Sequence, residues 1–338
     1  MKCCANCIGD RGLQKSIFPS LTTERGDCGY CRSVDVLVLE PQELGEVFGS
    51  LINIYEPNDG GYSLVKCLRD DWGMFGHPLM DEPKATDLLG EILNDGEIVR
   101  ARFLPSPAYE TDRLIRWEKL RDELMFGNRF FPDAEMDQDR LANLLTYLIL
   151  DSEELPTEWH RARLLNQDEP YRIEEMGAPP KKLATHGRAN PAGIPYLYLG
   201  STVSTAVAEI RPHTGERACV ATFTISTDLK IVDLREPRKS VSPFVLGDEE
   251  EIGFMRGDIG FLARLGDELT RPVVPQSAAI DYVPSQYLCE FIKKRGYNGV
   301  IYRSSVGDGM NMALFDPLRA TPGTVTQRLV SRVRVDIV

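Results

Sequence analysis

The sequence predicts an α+β protein, in which a cysteine-bearing ribbon and a helical domain precede a mixed helix-and-strand half. Three observations carry that reading. Cys4, Cys7, Cys28 and Cys31 form two Cys-x-x-Cys pairs near the N-terminus. Apolar residues then recur at helical spacing as far as about residue 150. Beyond that point short β-branched runs alternate with helical patterns. A chain of 338 residues is longer than one usual domain. The expected boundaries are 1–33 for the ribbon, 34–150 for the helical domain, 155–320 for the mixed domain and 321–338 for a C-terminal strand extension.

Each element has a local reason. Leu44, Val47, Phe48, Leu51, Ile52 and Tyr55 make a first apolar stripe. Further helices are expected at 62–70, 85–95, 111–126 and 139–150, the third of these striped by Leu114, Trp117, Leu120 and Leu124 and the last by Leu141, Leu144, Leu145, Leu148 and Ile149. Together they predict a small all-helical domain, broken in the middle by Pro105 and Pro107. Asp151-Ser-Glu-Glu-Leu-Pro156 ends the periodicity. Strands are expected at 196–199, 218–226, 231–234, 299–303 and 312–315, and again where Val333, Val335 and Ile337 alternate with charged residues. Two helices interrupt them: 202–210, with Ser201 as N-cap, and 286–295, with Ser285 as N-cap and Gly296 as stop. The acidic run Asp248–Glu251 reads as a solvated loop.

Composition narrows the function classes. The chain is 42% hydrophobic and 27% charged, ordinary for a folded globular protein. Its longest apolar stretch, Leu144–Leu150, is interrupted by Thr146 and too short to span a bilayer. The first residues lack the apolar core of a secretory signal, so a cytoplasmic protein without membrane partners is expected. The net charge of −12 is uneven: residues 1–180 carry a net −15 and residues 181–338 a net +3. The acidic half would repel a phosphate backbone, which argues against nucleic-acid binding. It also argues against RNA cleavage by a helical domain. Such ribonucleases need an Arg shortly ahead of a His on one helix, and neither Arg69 with His77 nor Arg211 with His213 has that spacing.

Two groups of residues carry chemistry. The two Cys pairs, separated by residues 8–27, have the spacing of a four-thiolate zinc site, with Cys3 as a neighbour able to replace Cys4. Four thiolates leave no open coordination position, so this Zn2+ would be structural. Cys67, Cys219 and Cys289 sit in apolar contexts and read as core. The second group is Arg188 in a loop flanked by Gly187 and Gly193, Tyr198 on a strand, and Glu209 on a helix face otherwise filled by Ala and Val. A guanidinium, a phenol and a lone acid on loop, strand and helix could make an anion-and-sugar site, or stand as surface and packing residues.

The same run resembles a known family. Gly187-Arg-Ala-Asn-Pro-Ala-Gly, the Leu197-Tyr-Leu strand and Thr205-Ala-Val-Ala-Glu look like the RES domain. Tyr282-Val-Pro-Ser-Gln-Tyr-Leu-Cys-Glu-Phe-Ile, Gly296-Tyr-Asn-Gly-Val-Ile-Tyr-Arg-Ser-Ser and Asn311-Met-Ala-Leu-Phe-Asp agree with it in order, so that the resemblance spans about 158–320. The acidic part, through its Cys pairs and Glu40-Pro-Gln-Glu-Leu, is similar to the HEPN/RES N-terminal domain. The resemblance implies an ADP-ribosyltransferase-like fold that consumes NAD+ by hydrolysis or phosphorolysis. It implies a toxin or defence effector with an antitoxin or regulatory protein as partner; a homo-oligomer is compatible with it. Protein mono-ADP-ribosylation and a non-catalytic docking module are the alternatives. By motif position Arg188, Tyr198 and Glu209 are the family Arg, Tyr and Glu, and the family Ser is Ser304 or Ser305. In this reading Arg188 grips the diphosphate, Tyr198 stacks on nicotinamide, Ser304 or Ser305 binds the amide or a ribose hydroxyl, and Glu209 faces the charge that develops on ribose. Ala189 stands where many members have an aromatic residue.

Overall fold

The computed structural model describes residues 1–150 and 152–334. The chain forms two compact units: Met1–Ile115 with Glu236–Ala263, and Arg116–Arg235 with the residues from Arg264 on. Among the described residues no helix is long and apolar enough to cross a membrane.

In the first unit the cysteine segment is tied down by one short ribbon and one isolated bridge of backbone pairing. β1 (Arg25–Gly26) pairs antiparallel with β2 (Val36–Leu37), and Cys3 bridges to Leu39. Helices Gly45–Asn53, Leu64–Trp72 and Glu82–Leu93 follow; the first buries Phe48, Leu51 and Ile52 of the stripe read from the sequence, the second Leu64, Val65 and Leu68, and the third Ala85, Leu88, Leu89 and Ile92. Ser63 and Asp81 cap the second and third by accepting from Lys66 N and Lys84 N. Periodicity predicts an all-helical domain here, but the unit is not all helical. β3 (Tyr55–Tyr62) pairs antiparallel with β4 (Phe103–Pro105). The pairing bulges between Pro57 and Tyr62 and includes only a few residues, too short a run to show a period of two.

The distant segment Glu236–Ala263 completes this unit. Phe244 stacks on Phe48 with ring centroids 4.8 Å apart, and Arg113 Nη1 lies 2.6 Å from the fully buried Asp258. Gly253 is a requirement here, because a Cβ would sit 2.3 Å from the Tyr109 ring. The acids expected to form a loop instead open the helix Glu249–Thr270, with Asp248 Oδ1 accepting from Glu251 N at 2.9 Å. Carboxylates are favourable in a first helical turn, where unsatisfied N–H groups point outward.

The second unit is built on an eight-stranded sheet. Its strands are β5 (Ile149–Leu150), β6 (Glu158–Leu164), β7 (Leu197–Gly200), β8 (Arg217–Ile225), β9 (Ile231–Asp233), β10 (Gly299–Arg303), β11 (Met310–Leu314) and β12 (Ala320–Leu329), in the spatial order β12-β8-β6-β7-β11-β10-β9-β5. All neighbours are antiparallel except β9 and β10. The core beneath it includes Trp159, Leu197, Phe223, Ile231, Ile301 and Met312. β6 and β7 share only the pair His160↔Gly200, so the sheet opens at that seam.

Several expectations shift here. The helix expected at 139–150 ends at Thr146, because Ile149 and Leu150 extend to pair with Val232 and Ile231. The C-terminal strand is β12, and Val333 lies beyond it; Val335 and Ile337 fall outside the described residues. Thr202, not Ser201, caps the helix Val203–Glu209. Ser285 lies inside the helix Val283–Lys294 rather than before it.

Candidate functional site

The N-terminal cysteines converge. Sγ atoms of Cys4, Cys7, Cys28 and Cys31 lie within 4.8 Å of one another and all four residues are buried. Neighbouring sulfurs approach to 3.5 Å for Cys4 with Cys31 and 3.2 Å for Cys7 with Cys28. Among the described residues all eight cysteines are free of disulfides. Cys3 is outside the group of four; its backbone is committed to Leu39 in both directions. Four buried thiols at this separation are close enough to hold a metal ion, and the donor set fits a closed tetrahedral site.

The second concentration of polar groups lies at the seam of the sheet in the second unit. A cavity of about 500 Å³ is lined by β6, β7, the loop before β7, the helix Val203–Glu209 and the segment 273–282. That volume is in the range of small-molecule sites. Arg188, Tyr198, Glu209 and Ser305 line it, so four residues singled out from the sequence meet there. Ser304 reaches the same place by hydrogen bonding to Glu209.

Tyr198 is tied to the preceding loop through its hydroxyl. Oη accepts from Ala189 N at 2.9 Å and Asn190 N at 3.2 Å, and donates to Asn190 Oδ1 at 2.8 Å. Burial pushes the phenol pKa up. The ring lines the cavity, but its polar end is consumed in folding the Arg188 loop. Gly187 is needed beside it, since a Cβ would sit 2.7 Å from that oxygen. Gln286 Nε2 donates to Gly187 O at 2.8 Å and Ser285 Oγ to Arg188 O at 2.5 Å. The loop is therefore held from both sides. Arg188 Nη1 donates to Arg271 O at 2.7 Å, and its guanidinium lies 5.4 Å from the centre of the Tyr282 ring.

Glu209 ends its helix exposed to the cavity, where Ser304 Oγ at 2.7 Å and Asn311 Nδ2 at 2.6 Å both donate to Oε1. Arg161 of β6 brings a second guanidinium. Its Nη1 donates to Tyr198 O at 3.3 Å, while its Nε has no hydrogen-bond partner among the described residues. Burial, then the neighbouring Arg163, lowers its pKa to about 10, which leaves it cationic at neutral pH. A carboxylate oriented by two donors, in a cavity also lined by the guanidiniums of Arg161, Arg188 and Arg211, suits an anionic ligand in which positive charge appears at one end.

Sequence reasoning missed Arg161, Tyr282, Ser285 and Asn311. Asn311 did carry a signal: a single amide inside the apolar strand Met310-Asn-Met-Ala-Leu has to find a partner. Arg161 had none, because charged residues also precede and follow it in β6.

The RES domain matches the sequence over residues 158–330, just over half of the chain. The chain belongs to the RES domain family. The RES match includes all of Arg161, Arg188, Tyr198, Glu209, Ser304, Ser305 and Asn311. No curated protein matches the chain. Among solved structures, the chain is similar to one from the crystal structure of the M. tuberculosis MbcT–MbcA toxin–antitoxin complex, at 13% identity and a TM-score of 0.34, covering 56% of this chain and 93% of that one.

Proposed function

We propose that the RES domain of this chain cleaves NAD+ between nicotinamide and ribose, as a toxin or defence effector that depletes the dinucleotide. The observation that supports the reading is the Glu209 carboxylate, held by Ser304 and Asn311 at a cavity that also receives Arg161 and Arg188. The bond between ribose C1′ and nicotinamide N1 breaks with its electron pair going to N1. Nicotinamide leaves as a neutral ring, and the oxocarbenium-like ribose faces Glu209. A carboxylate there stabilises a charge absent from the ground state, which lowers the barrier. Arg188 and Arg161 hold the diphosphate, whose charge is constant. Water adds its oxygen to C1′ and releases a proton, giving ADP-ribose. Phosphate or a protein side chain would occupy the same face of the ribose. The tyrosine role differs from stacking alone, since the Tyr198 hydroxyl shapes the arginine loop.

Zn2+ is the ion we assign to the four cysteines, and it supplies folding energy rather than chemistry. Membership of the RES family makes an antitoxin the expected partner.

Purified protein incubated with NAD+ is expected to release free nicotinamide and ADP-ribose; ADP-ribose 1″-phosphate or a labelled protein would instead identify the acceptor. NAD+ that stays intact after removal of any co-purifying inhibitor would sink the reading.

A further inference from the structure

Glu209 is held on one side only. Ser304 Oγ and Asn311 Nδ2 donate to the same oxygen, Oε1, and among the described residues Oε2 takes no hydrogen bond. The two donors are not equivalent. Ser304 follows the last residue of β10 and accepts from Val306 N at 3.3 Å. Asn311 is 5% exposed and sits in the sheet, opposite Tyr302 of β10 on one side and Gly200 of β7 on the other. Its backbone is therefore fixed by two neighbouring strands. The glutamate at the end of a seven-residue helix has a long exposed side chain with free torsions. A buried amide on a rigid strand orients a mobile carboxylate, not the reverse.

We propose that Asn311 is a positioning residue for Glu209: it pins Oε1 together with Ser304 and so presents Oε2 to the ribose. The inference rests on the NAD+-cleavage reading above. It also fixes what Ser304 offers. Its proton is committed to Glu209 and one lone pair to Val306 N, so the remaining lone pair is left to accept from a ribose hydroxyl or from the amide N–H of nicotinamide. The competing explanation is that Asn311 only fills the sheet.

Asn311→Leu keeps the branched outline of the side chain and removes the donor, and Asn311→Asp, equal in shape, replaces it should the first not fold. Misplacement of a reacting group by about an ångström costs on the order of 10²-fold, so kcat for nicotinamide release should fall by that factor. KM should move less than about threefold, because the ground-state contacts are untouched. The deciding arm repeats Asn311→Leu in a Glu209→Gln background. There the further loss should shrink to less than about threefold, since the charge being positioned is already gone. Equal losses in both backgrounds, or no loss in the native one, overturn the proposal. A crystal structure of the variant reads it without turnover: Glu209 rotated off Ser304 supports it, and an unmoved carboxylate overturns it. If the unaltered protein releases no nicotinamide, the cleavage reading fails alone, and that structure decides the role of Asn311.

Discussion

The cysteine cluster and the cavity both gather reactive side chains, and they differ in what they leave free. At the cluster four thiols turn inward on one another and all are buried. At the cavity, among the described residues, Glu209 keeps one oxygen without a hydrogen bond and Arg161 keeps its Nε–H without one. A saturated set can only hold, whereas an unsaturated set in a cavity can meet something that arrives. The first is accordingly read as a structural clasp and the second as the chemical site.

That contrast breaks most visibly at Cys28. Cys28→Ser removes one of the four ligands, and closed thiolate sites contribute on the order of 10 kcal/mol of binding free energy. The variant should lose about one zinc per chain by metal analysis. Amides of the cysteine segment should exchange freely with solvent, while nicotinamide release stays within about threefold of the unaltered protein. A metal-free protein with an equally protected N-terminus would erase the distinction between the two sites.

The next largest effect tests the other side. Glu209→Gln keeps the size and removes the charge, and kcat should drop by about 10²-fold or more with KM little changed. Near-normal kcat would make Glu209 a solvated helix end. Tyr198→Phe should cost about 1–3 kcal/mol in a thermal melt, because it strands the Asn190 and Ala189 groups now bonded to the hydroxyl. Its kinetic signature should be a raised KM through the loosened Arg188 loop; an unchanged melt would return Tyr198 to a simple wall of the cavity. The serine doublet gives the finest test. Ser304→Ala should lower kcat by about tenfold, the scale of a charge-assisted hydrogen bond, and Ser305→Ala by less. The reverse order would exchange the roles of the two serines.

Legibility in the sequence followed the range over which each feature is decided. Cys4 with Cys7 and Cys28 with Cys31 are each fixed within one turn of chain, and those pairs could be read directly. The stripes of Phe48, Leu51 and Ile52 or of Trp117, Leu120 and Leu124 likewise announce buried helical faces. Arg188 and Glu209 were found through a family resemblance, since nothing in their spacing distinguishes them from surface residues. Asn311 and Arg161 depend on strand register: Asn311 reaches Glu209 because β11 lies between β7 and β10, a neighbourhood no local pattern encodes. Ser285 looked like a cap because Pro284 precedes it, yet its hydroxyl belongs to the Arg188 carbonyl far upstream.

The make-up of the first unit has a consequence for how the chain is born. Its residues up to Ile115 leave the ribosome early, but Glu236–Ala263 arrives only after β5 to β9 have been synthesised. Domains commonly fold in the order they emerge. This one has to wait, with Phe48 and Tyr109 lacking the rings and glycines that later cover them. A fragment cut just before the RES match would carry the late segment without its early one. Its Asp258, fully buried and 2.6 Å from Arg113 in the whole chain, would then lose that ion pair. Truncation of this protein is thus a test of half a unit rather than of a freed domain.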